Sequence, residues 1–301
     1  MSRKWIITLA VLAALLAVYF FPVLPQPFDE LYASVDPARA GALQAFRSSH
    51  PPKTLAVEGR DWEYISAGNG ERTILFLHGM TGAADIWWQQ ISHFEPDFRI
   101  IAVTYPALGT LAKMEQGVLG ILKAEGVDQF YLVGTSLGGY FAQYLAGRHP
   151  DRVLGAVFSN TFPPNDLILE KNGTIGSLIP YLPEWAVLGV LKGSFRDSIY
   201  PTSGNDELTL AFLNEIAAGR MSKAQVAGRY ACVVEKFDAA NLSLPVLIIE
   251  ADNDPLVEET LREQLKETYP SAQFHTFSGV GHFIYLNRPD EYNRVLEDFF
   301  E

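Results

Sequence analysis

Cysteine and basic residues are scarce in this chain. The single cysteine, Cys232, excludes any disulfide within the chain. Lys and Arg together number 23 against 35 Asp and Glu, which gives a formal net charge of −12 at pH 7. Such a surface repels a phosphate backbone, and no local run of Lys and Arg offsets the repulsion. We therefore expect no nucleic acid among the partners.

The sequence also lacks the motifs that hold metals or phosphates. Its six histidines and one cysteine do not fall into the spacings of a metal-ligand cluster, and no phosphate-binding glycine loop occurs. Internal repeats and low-complexity tracts are missing as well. We therefore expect no metal ion and no organic cofactor. The remaining composition, 48% hydrophobic and 19% charged, is ordinary for a folded globular protein.

Charge is absent over one long stretch near the N-terminus. After Arg3 and Lys4, no charged residue occurs from Trp5 through Phe28. An apolar run of about 20 residues is long enough to cross a bilayer as a helix, and we expect residues 5–24 to contact the membrane in this way. The preceding basic residues predict a main domain on the periplasmic or exofacial side. The bulky end of the run, VYFFPVLP, favours an uncleaved signal anchor over a cleaved signal peptide, which would give a secreted protein.

Strand and helix patterns alternate along the rest of the chain. The segment KTLAVEGRDWEYISAG predicts an antiparallel hairpin, and later apolar runs are nearly continuous, as in strands buried on both faces of a parallel sheet. Helical patterns separate several of these runs, so the sequence predicts an α/β fold with right-handed crossovers. The runs are TILFLHG, RIIAVTYP, QFYLVGTS, VLGAVFSN, PVLIIEAD and AQFHTFSG.

One interval interrupts this alternation. Residues 163–243 contain helix-like and loop sequence without a clear buried strand, and roughly 80 residues are too many for a plain connection. We expect this interval to form a helical cap or lid. The predicted domain organisation is a signal anchor at 1–27, a linker with an amphipathic segment at 28–53, a core at 54–162 and 244–301, and the cap at 163–243.

Ser136 lies between two glycines where a strand pattern ends and a helix pattern begins. Residues 134–138 read Gly-Thr-Ser-Leu-Gly, and this context is typical of a nucleophile elbow. Larger residues in place of the glycines would collide with the neighbouring strand and helix. The pentapeptide alone leaves two interpretations open, because glycine-rich turns between a strand and a helix also serve packing. Ser136 is either a nucleophile or a small residue in a tight turn.

A serine hydroxyl becomes a good nucleophile only when a base takes its proton. Among the histidines, His282 lies in a loop directly after the last predicted strand, where reacting groups of such sheets converge. The strand end LIIEADNDPLV offers Glu250, Asp252 and Asp254 as the acid that orients the histidine. Glu250 alternates into the strand, and Asp254 lies furthest beyond it. We therefore favour Asp254 over Asp252.

Backbone donors must stabilise the negative charge that develops on a substrate carbonyl. Gly79 follows the strand TILFLH and lets its loop pass close to the elbow, so the N–H groups of Met80 and Leu137 are the expected oxyanion hole. His78 is expected to order this turn. The apolar cap suggests a pocket for an acyl or aryl group, although these residues could instead only pack the cap on the core. The expected pocket residues are Thr81, Ile179, Tyr181 and Trp185.

The chain resembles the α/β-hydrolase superfamily over about residues 54–301, at the motifs FLHGMTG, GTSLGG, ADNDPLV and GVGHFIYLNRPDEY. Within it, WWQQISHFEPDFRIIAVTYP, GTSLGGYFAQYLAGRHP and FSNTF are most similar to the maspardin-type branch. The resemblance implies an α/β-hydrolase fold, with a mostly parallel sheet flanked by helices. It also implies a catalytic triad of Ser136, Asp254 and His282, in the chain order of that fold.

The expected function is that of a membrane-anchored serine hydrolase that cleaves carboxylic esters through an acyl-enzyme on Ser136. Two alternatives stay open. One is a non-catalytic, maspardin-like binding or adaptor protein, because a fold does not guarantee turnover. The other is a hydrolase of a thioester, lactone, amide or carbon–carbon bond, since the pocket and not the triad selects the substrate.

Overall fold

A sheet of eight strands organises the chain. The computed structural model describes residues 2–301, so the first residue of the predicted 1–27 segment lies outside it. The strands are β1 (Lys53–Val57), β2 (Arg60–Ala67), β3 (Thr73–Leu77), β4 (Arg99–Thr104), β5 (Phe130–Thr135), β6 (Val153–Ser159), β7 (Val246–Ala251) and β8 (Gln273–Phe277). Their order across the sheet is β1-β2-β4-β3-β5-β6-β7-β8.

The sheet is mostly parallel. β1 and β2 form an antiparallel hairpin, and β2 also runs antiparallel to β4. All other neighbouring pairs, from β4-β3 to β7-β8, are parallel. The predicted α/β fold with a mostly parallel sheet flanked by helices is confirmed.

Helices connect the strands and cover both faces of the sheet. They are α1 (Arg3–Tyr19), α2 (Phe28–Leu31), α3 (Pro37–Ser49), α4 (Trp88–Phe94), α5 (Leu111–Ala124), α6 (Leu137–Arg148), α7 (Leu167–Leu178), α8 (Glu184–Ser194), α9 (Tyr200–Thr202), α10 (Glu207–Glu215), α11 (Lys223–Val234), α12 (Glu259–Thr268), α13 (Ile284–Asn287) and α14 (Pro289–Phe300). Short 3₁₀ or π segments occur at Ala84–Trp87, Ile179–Tyr181, Phe195–Ile199 and Ile216–Arg220.

Alternate residues of the central strands point to opposite faces of the sheet. In β3, Ile74 and Phe76 join one apolar cluster, whereas Leu75 and Leu77 join a second cluster on the other face. Every residue of β3 is buried. The two clusters explain the nearly continuous apolar runs of the sequence, because helices cover these strands on both sides.

The apolar helix near the N-terminus is shorter than predicted. α1 covers 17 residues and includes Arg3 and Lys4 in its first turn. The apolar run continues past its end in non-helical backbone, where Pro22 lacks the N–H that a helix would use. Among residues 2–301, no helix is both long and apolar enough to cross a membrane. The predicted transmembrane signal anchor at residues 5–24, with its membrane-anchored exofacial localisation, is therefore wrong.

The carboxyl ends of the parallel strands bring several polar residues to one edge of the sheet. His78 follows β3, Ser136 follows β5, Asn160 follows β6 and Asp252 follows β7. In the described chain, the interval 163–243 contains helices α7 to α11 between β6 and β7, and no strand. In open α/β sheets, ligands bind outside this carboxyl edge.

Candidate active site

Ser136 occupies a strained turn between β5 and α6. Its backbone angles are φ 53° and ψ −123°, a conformation that residues other than glycine rarely adopt. The Ser136 N–H donates to the Ser159 carbonyl at 3.0 Å. The Ser136 carbonyl accepts from the Tyr140 N–H at 2.9 Å and from Thr161 Oγ1 at 2.7 Å. These bonds hold the serine in the strained conformation.

The glycines on either side of Ser136 make this turn sterically feasible. A Cβ atom on Gly134 would lie 2.2 Å from the Gly138 carbonyl oxygen. A Cβ atom on Gly138 would lie 2.0 Å from the carbonyl oxygen of Leu77, at the end of β3. Both positions therefore require glycine, because backbone atoms at these distances cannot move aside.

His282 and Asp254 form a buried pair. His282 Nδ1 lies 2.7 Å from Asp254 Oδ2, and the two side chains are 3% and 0% exposed. The other carboxylate oxygen, Oδ1, accepts from the N–H groups of Leu256 at 2.8 Å and Val257 at 3.1 Å. An ionised carboxylate only accepts hydrogen bonds, so Nδ1 carries the proton of this contact. The neutral ring then has its lone pair on Nε2.

The two alternative acids make other contacts. Asp252 accepts from Ser278 Oγ at 2.7 Å and from the Gly279 N–H at 2.9 Å. Glu250 forms an ion pair with Lys266 at 2.7 Å. Neither carboxylate contacts His282 by a hydrogen bond, and Asp252 instead shapes the loop that leads to it.

Two asparagines that the sequence analysis missed support the histidine loop. Asn160 Nδ2 donates to the His282 carbonyl at 2.7 Å, and its Oδ1 accepts from the Ala251 N–H at 2.9 Å. Asn253 Oδ1 accepts from the Gly281 N–H at 2.8 Å. Their signal in the sequence is a short amide side chain one or two residues after each of two apolar strands, where it can bond to a neighbouring loop.

His78 holds the loop after β3. Its Nδ1 lies 2.6 Å from the Gly79 carbonyl oxygen, so the ring must donate there, and Nε2 accepts from the Tyr105 N–H at 3.4 Å. Burial and the nearby positive charge of Arg229 keep the pKa of His78 well below its ordinary value, so the ring is neutral. In a trans peptide the carbonyl and the next N–H point in opposite directions. Fixing the Gly79 carbonyl therefore fixes the direction of the Met80 N–H.

The second expected donor lies on α6. Leu137 is the first residue of that helix and is fully buried. The first N–H groups of a helix have no partner within the helix, so they are free to bind an oxygen atom in front of it.

A cavity of about 370 Å³ opens onto Ser136 and His282. Met80 and two of the expected pocket residues, Thr81 and Ile179, line it as well. Within residues 2–301, its lining includes no Lys, Arg, Asp or Glu side chain. Apolar side chains of the helices between β6 and β7 form much of the wall, among them Ile168, Ile175, Leu182, Val187, Val190 and Val226.

The other two expected pocket residues lie outside the cavity. Tyr181 is 75% exposed, and its carbonyl accepts from Tyr19 Oη at 3.2 Å. Trp185 Nε1 donates to the Val18 carbonyl at 2.8 Å. Both residues therefore contact the end of α1 and not the cavity, because they lie on the outer face of their segments.

Among residues 2–301, no group of three or more His, Cys, Asp and Glu side chains is placed to hold a metal ion. Cys232 is buried, and burial raises the pKa of its thiol to about 12. Other histidines pair with single carboxylates, as His149 does with Glu115 at 2.6 Å.

The sequence and the fold match known proteins. The family model for the alpha/beta hydrolase fold matches residues 72–289. Maspardin of Mus musculus is 25% identical over 266 residues, with 84% of each chain covered. A 2-hydroxy-6-oxononadienedioate/2-hydroxy-6-oxononatrienedioate hydrolase of Paraburkholderia phymatum is 25% identical over 270 residues, covering 78% of this chain and 89% of the relative.

A solved structure also matches the fold of this chain. The enol-lactonase of Burkholderia xenovorans LB400 superposes with a TM-score of 0.71 at 17% identity, covering 82% of this chain and 99% of that one. At this identity the likeness concerns the fold alone.

Proposed function

Because the chain belongs to the alpha/beta hydrolase fold family, we propose that it is a serine hydrolase that cleaves carboxylic esters through an acyl-enzyme on Ser136. The observation that carries this proposal is the convergence of three features on one cavity. They are the strained Ser136 turn, the buried pair of His282 with Asp254, and the loop that contains Met80.

In the first half-reaction, Ser136 Oγ attacks the ester carbonyl carbon while His282 Nε2 takes the hydroxyl proton. A tetrahedral adduct forms, with its negative charge on the former carbonyl oxygen. His282 then donates the proton to the departing alkoxide, the carbon–oxygen bond of the ester breaks, and an alcohol leaves. Asp254 keeps the imidazole oriented and stabilises its protonated form.

In the second half-reaction, a water molecule replaces the alcohol. His282 takes a proton from the water as its oxygen attacks the acyl carbon, and a second tetrahedral adduct forms. Its collapse breaks the bond to Ser136 Oγ, and His282 returns the proton to the serine. The N–H groups of Met80 and Leu137 stabilise both adducts, and one such donor lowers the barrier by about 3 kcal/mol.

The cavity supports an uncharged acyl or aryl substrate. Among the residues that the structure describes, none that lines it is a Lys or Arg able to pair with a carboxylate. A carboxylate that enters such a cavity loses its hydration without compensation, at a cost of several kcal/mol. Dioates, such as those that the Paraburkholderia relative acts on according to its name, are therefore poor candidates. The helices from 163 to 243 would act as the cap that encloses the acyl group.

Labelling and turnover test the proposal together. The wild-type protein should react with a fluorophosphonate probe at Ser136 and hydrolyse p-nitrophenyl esters of graded chain length. Ser136→Ala should lose both properties. The control is Ser48→Ala, because Ser48 is exposed on α3 and its Oγ contacts only the Gln44 carbonyl. A folded wild-type protein that is neither labelled nor active would favour the alternative, a non-catalytic binding protein on the same fold.

A further inference from the structure

Arg229 is a buried cation without a carboxylate partner. It lies on α11 and is 2% exposed. Its Nη1 donates to the carbonyls of Met80 at 2.8 Å and Gly82 at 3.0 Å, and Nη2 donates to the Tyr105 carbonyl at 2.7 Å. Among the described residues, no Asp or Glu lies within ion-pair distance of this guanidinium. Three backbone carbonyls take the place of an acid.

A buried charge of this kind is costly. Burial lowers the pKa of Arg229 to about 10, which still leaves the side chain protonated at neutral pH. Desolvation of an unpaired cation costs several kcal/mol, and carbonyl dipoles offset only part of that cost. An apolar residue could hold α11 against its neighbours without this cost. The positions of the three carbonyls indicate which part of the structure the guanidinium holds in place.

Two of the three carbonyls belong to the loop that carries the expected oxyanion donor. His78 holds the Gly79 carbonyl, which fixes the peptide plane before the Met80 Cα. Arg229 holds the Met80 carbonyl, which fixes the peptide plane after it. With both planes fixed, neither backbone dihedral of Met80 can turn freely. The Met80 N–H is therefore held from two sides.

The third carbonyl ties the same guanidinium to the loop after β4. The Tyr105 carbonyl also accepts from Gln225 Nε2, one turn earlier on α11, at 3.0 Å. The helix sits close to this loop, since a Cβ atom on Gly228 would lie 2.0 Å from the Leu108 carbonyl oxygen. α11 therefore packs against the loops after β3 and β4, at the carboxyl edge of the sheet.

We propose that Arg229 is a positioning residue, which orients the Met80 N–H toward the oxyanion and so couples the seating of α11 to formation of the oxyanion hole. The proposal rests on the ester hydrolysis proposed above. If α11 moves away from the sheet, the bonds to Met80 and Gly82 break and the loop is released. The hydrolase is therefore fully active only while α11 is packed against the loops after β3 and β4.

The test compares Arg229→Met with Arg152→Met. Arg152 is a matched control, because it donates only to backbone carbonyls, those of Asp128 and Val127, both at 2.8 Å. It precedes β6, at the sheet edge opposite Ser136. The measurements are kcat and KM for a p-nitrophenyl ester, and the affinity for phenylboronic acid, which forms a tetrahedral adduct with an active serine.

For Arg229→Met we expect kcat to fall about 10- to 100-fold, somewhat less than when an oxyanion donor is removed outright. KM should change by less than about 3-fold, and boronate affinity should fall in parallel with kcat. Arg152→Met should retain wild-type values. A folded Arg229→Met protein with the kcat and boronate affinity of Arg152→Met would overturn the proposal.

Arg229→Lys keeps the test valid if the methionine variant does not fold. Lysine preserves the charge, but an ammonium group cannot reach all three carbonyls as a planar fork does. We expect kcat to fall at least about 5-fold at unchanged KM, and wild-type kcat would contradict the proposal. If the wild-type protein itself neither turns over esters nor reacts with the fluorophosphonate, the ester hydrolase function fails. If the wild-type protein is active and labelled, but the Arg229 variants keep the kcat of Arg152→Met, the positioning role of Arg229 fails and the ester hydrolase function stands.

Discussion

His282 Nδ1 lies 2.7 Å from Asp254 Oδ2, in a contact that is almost fully shielded from solvent. A shielded carboxylate stabilises a protonated imidazole strongly and selects the tautomer with its lone pair on Nε2. This relationship makes the role of each partner testable by single substitutions.

Asp254→Asn should lower kcat by about 10³- to 10⁴-fold with little change in KM, because an amide can favour the wrong histidine tautomer. The control is Asp252→Asn, which removes a charge two residues away at the same strand end, from a carboxylate that has no hydrogen bond to His282. Steady-state kinetics on one p-nitrophenyl ester give kcat and KM for both variants. Equal losses in the two variants would argue against Asp254 as the partner of a catalytic histidine.

Asn160→Ala should lower both stability and kcat. The substitution removes the hydrogen bonds to the His282 carbonyl and the Ala251 N–H. It also forces alanine to adopt the positive φ of 39° that Asn160 has in the structure. We expect a loss of about 2 to 3 kcal/mol in the free energy of unfolding and a 10- to 100-fold loss in kcat. Urea unfolding and kinetics provide the two readouts.

The matched control for Asn160 is Asn165→Ala. The Asn165 side chain also bonds to backbone, to the Pro163 carbonyl and the Ile168 N–H, but far from the histidine loop. It should lose some stability and keep its kcat. A loss of kcat as large as that of Asn160→Ala would show that the effect is not specific to the loop that carries His282.

The stability of the protein should depend on pH through His78. Its folded-state pKa lies well below the ordinary value of 6.5, so below pH 6.5 the unfolded chain binds a proton that the folded protein excludes. The stability due to the neutral ring is therefore fully present above pH 6.5 and is lost as the pH falls below it. Between pH 7.5 and pH 5.5 the loss is about 1 kcal/mol.

His78→Asn isolates this contribution, because its amide can still donate to a carbonyl but does not titrate. We expect the wild-type protein to lose about 1 kcal/mol more than the variant between pH 7.5 and pH 5.5, measured by urea unfolding at each pH. Identical pH slopes would contradict this, because they would mean that the pKa of His78 is the same in the folded and the unfolded protein.

A negative charge on the acyl chain of the substrate should lower kcat/KM strongly. A p-nitrophenyl hexanoate and the mono-p-nitrophenyl ester of adipic acid differ by one terminal carboxylate. Since no Lys or Arg of the described chain lines the cavity, kcat/KM should be at least about 100-fold lower for the charged ester. Comparable values for the two esters would contradict the assignment of this cavity as the acyl site.

The parts of this protein that the sequence predicted correctly depend on short patterns. The parallel strands, the turn at Ser136 and the resemblance to α/β-hydrolases with maspardin relatives are confirmed, and the patterns behind them are short apolar runs and short motifs. The apolar run at residues 5–24 was a misleading pattern, because a proline ended the helix early. Apolar composition alone also did not reveal that Tyr181 and Trp185 face outward.

Arg229 could not be identified from the sequence for a different reason. Its bond to the Met80 carbonyl joins residues 149 positions apart, and a helical pattern around Arg229 does not reveal burial. Asn160 joins His282 over 122 positions. Contacts of this range depend on how the whole sheet brings its loops together.

The acyl-enzyme tests the central claim most directly. Wild-type protein mixed with a slowly deacylating p-nitrophenyl ester should release a burst of nitrophenol close to one equivalent per protein. Quenched in acid and analysed by mass spectrometry, the peptide that contains Ser136 should carry the mass of the acyl group. Ser136→Ala should show neither the burst nor the adduct. Ester turnover without a burst, or with the acyl group on another residue, would contradict the account.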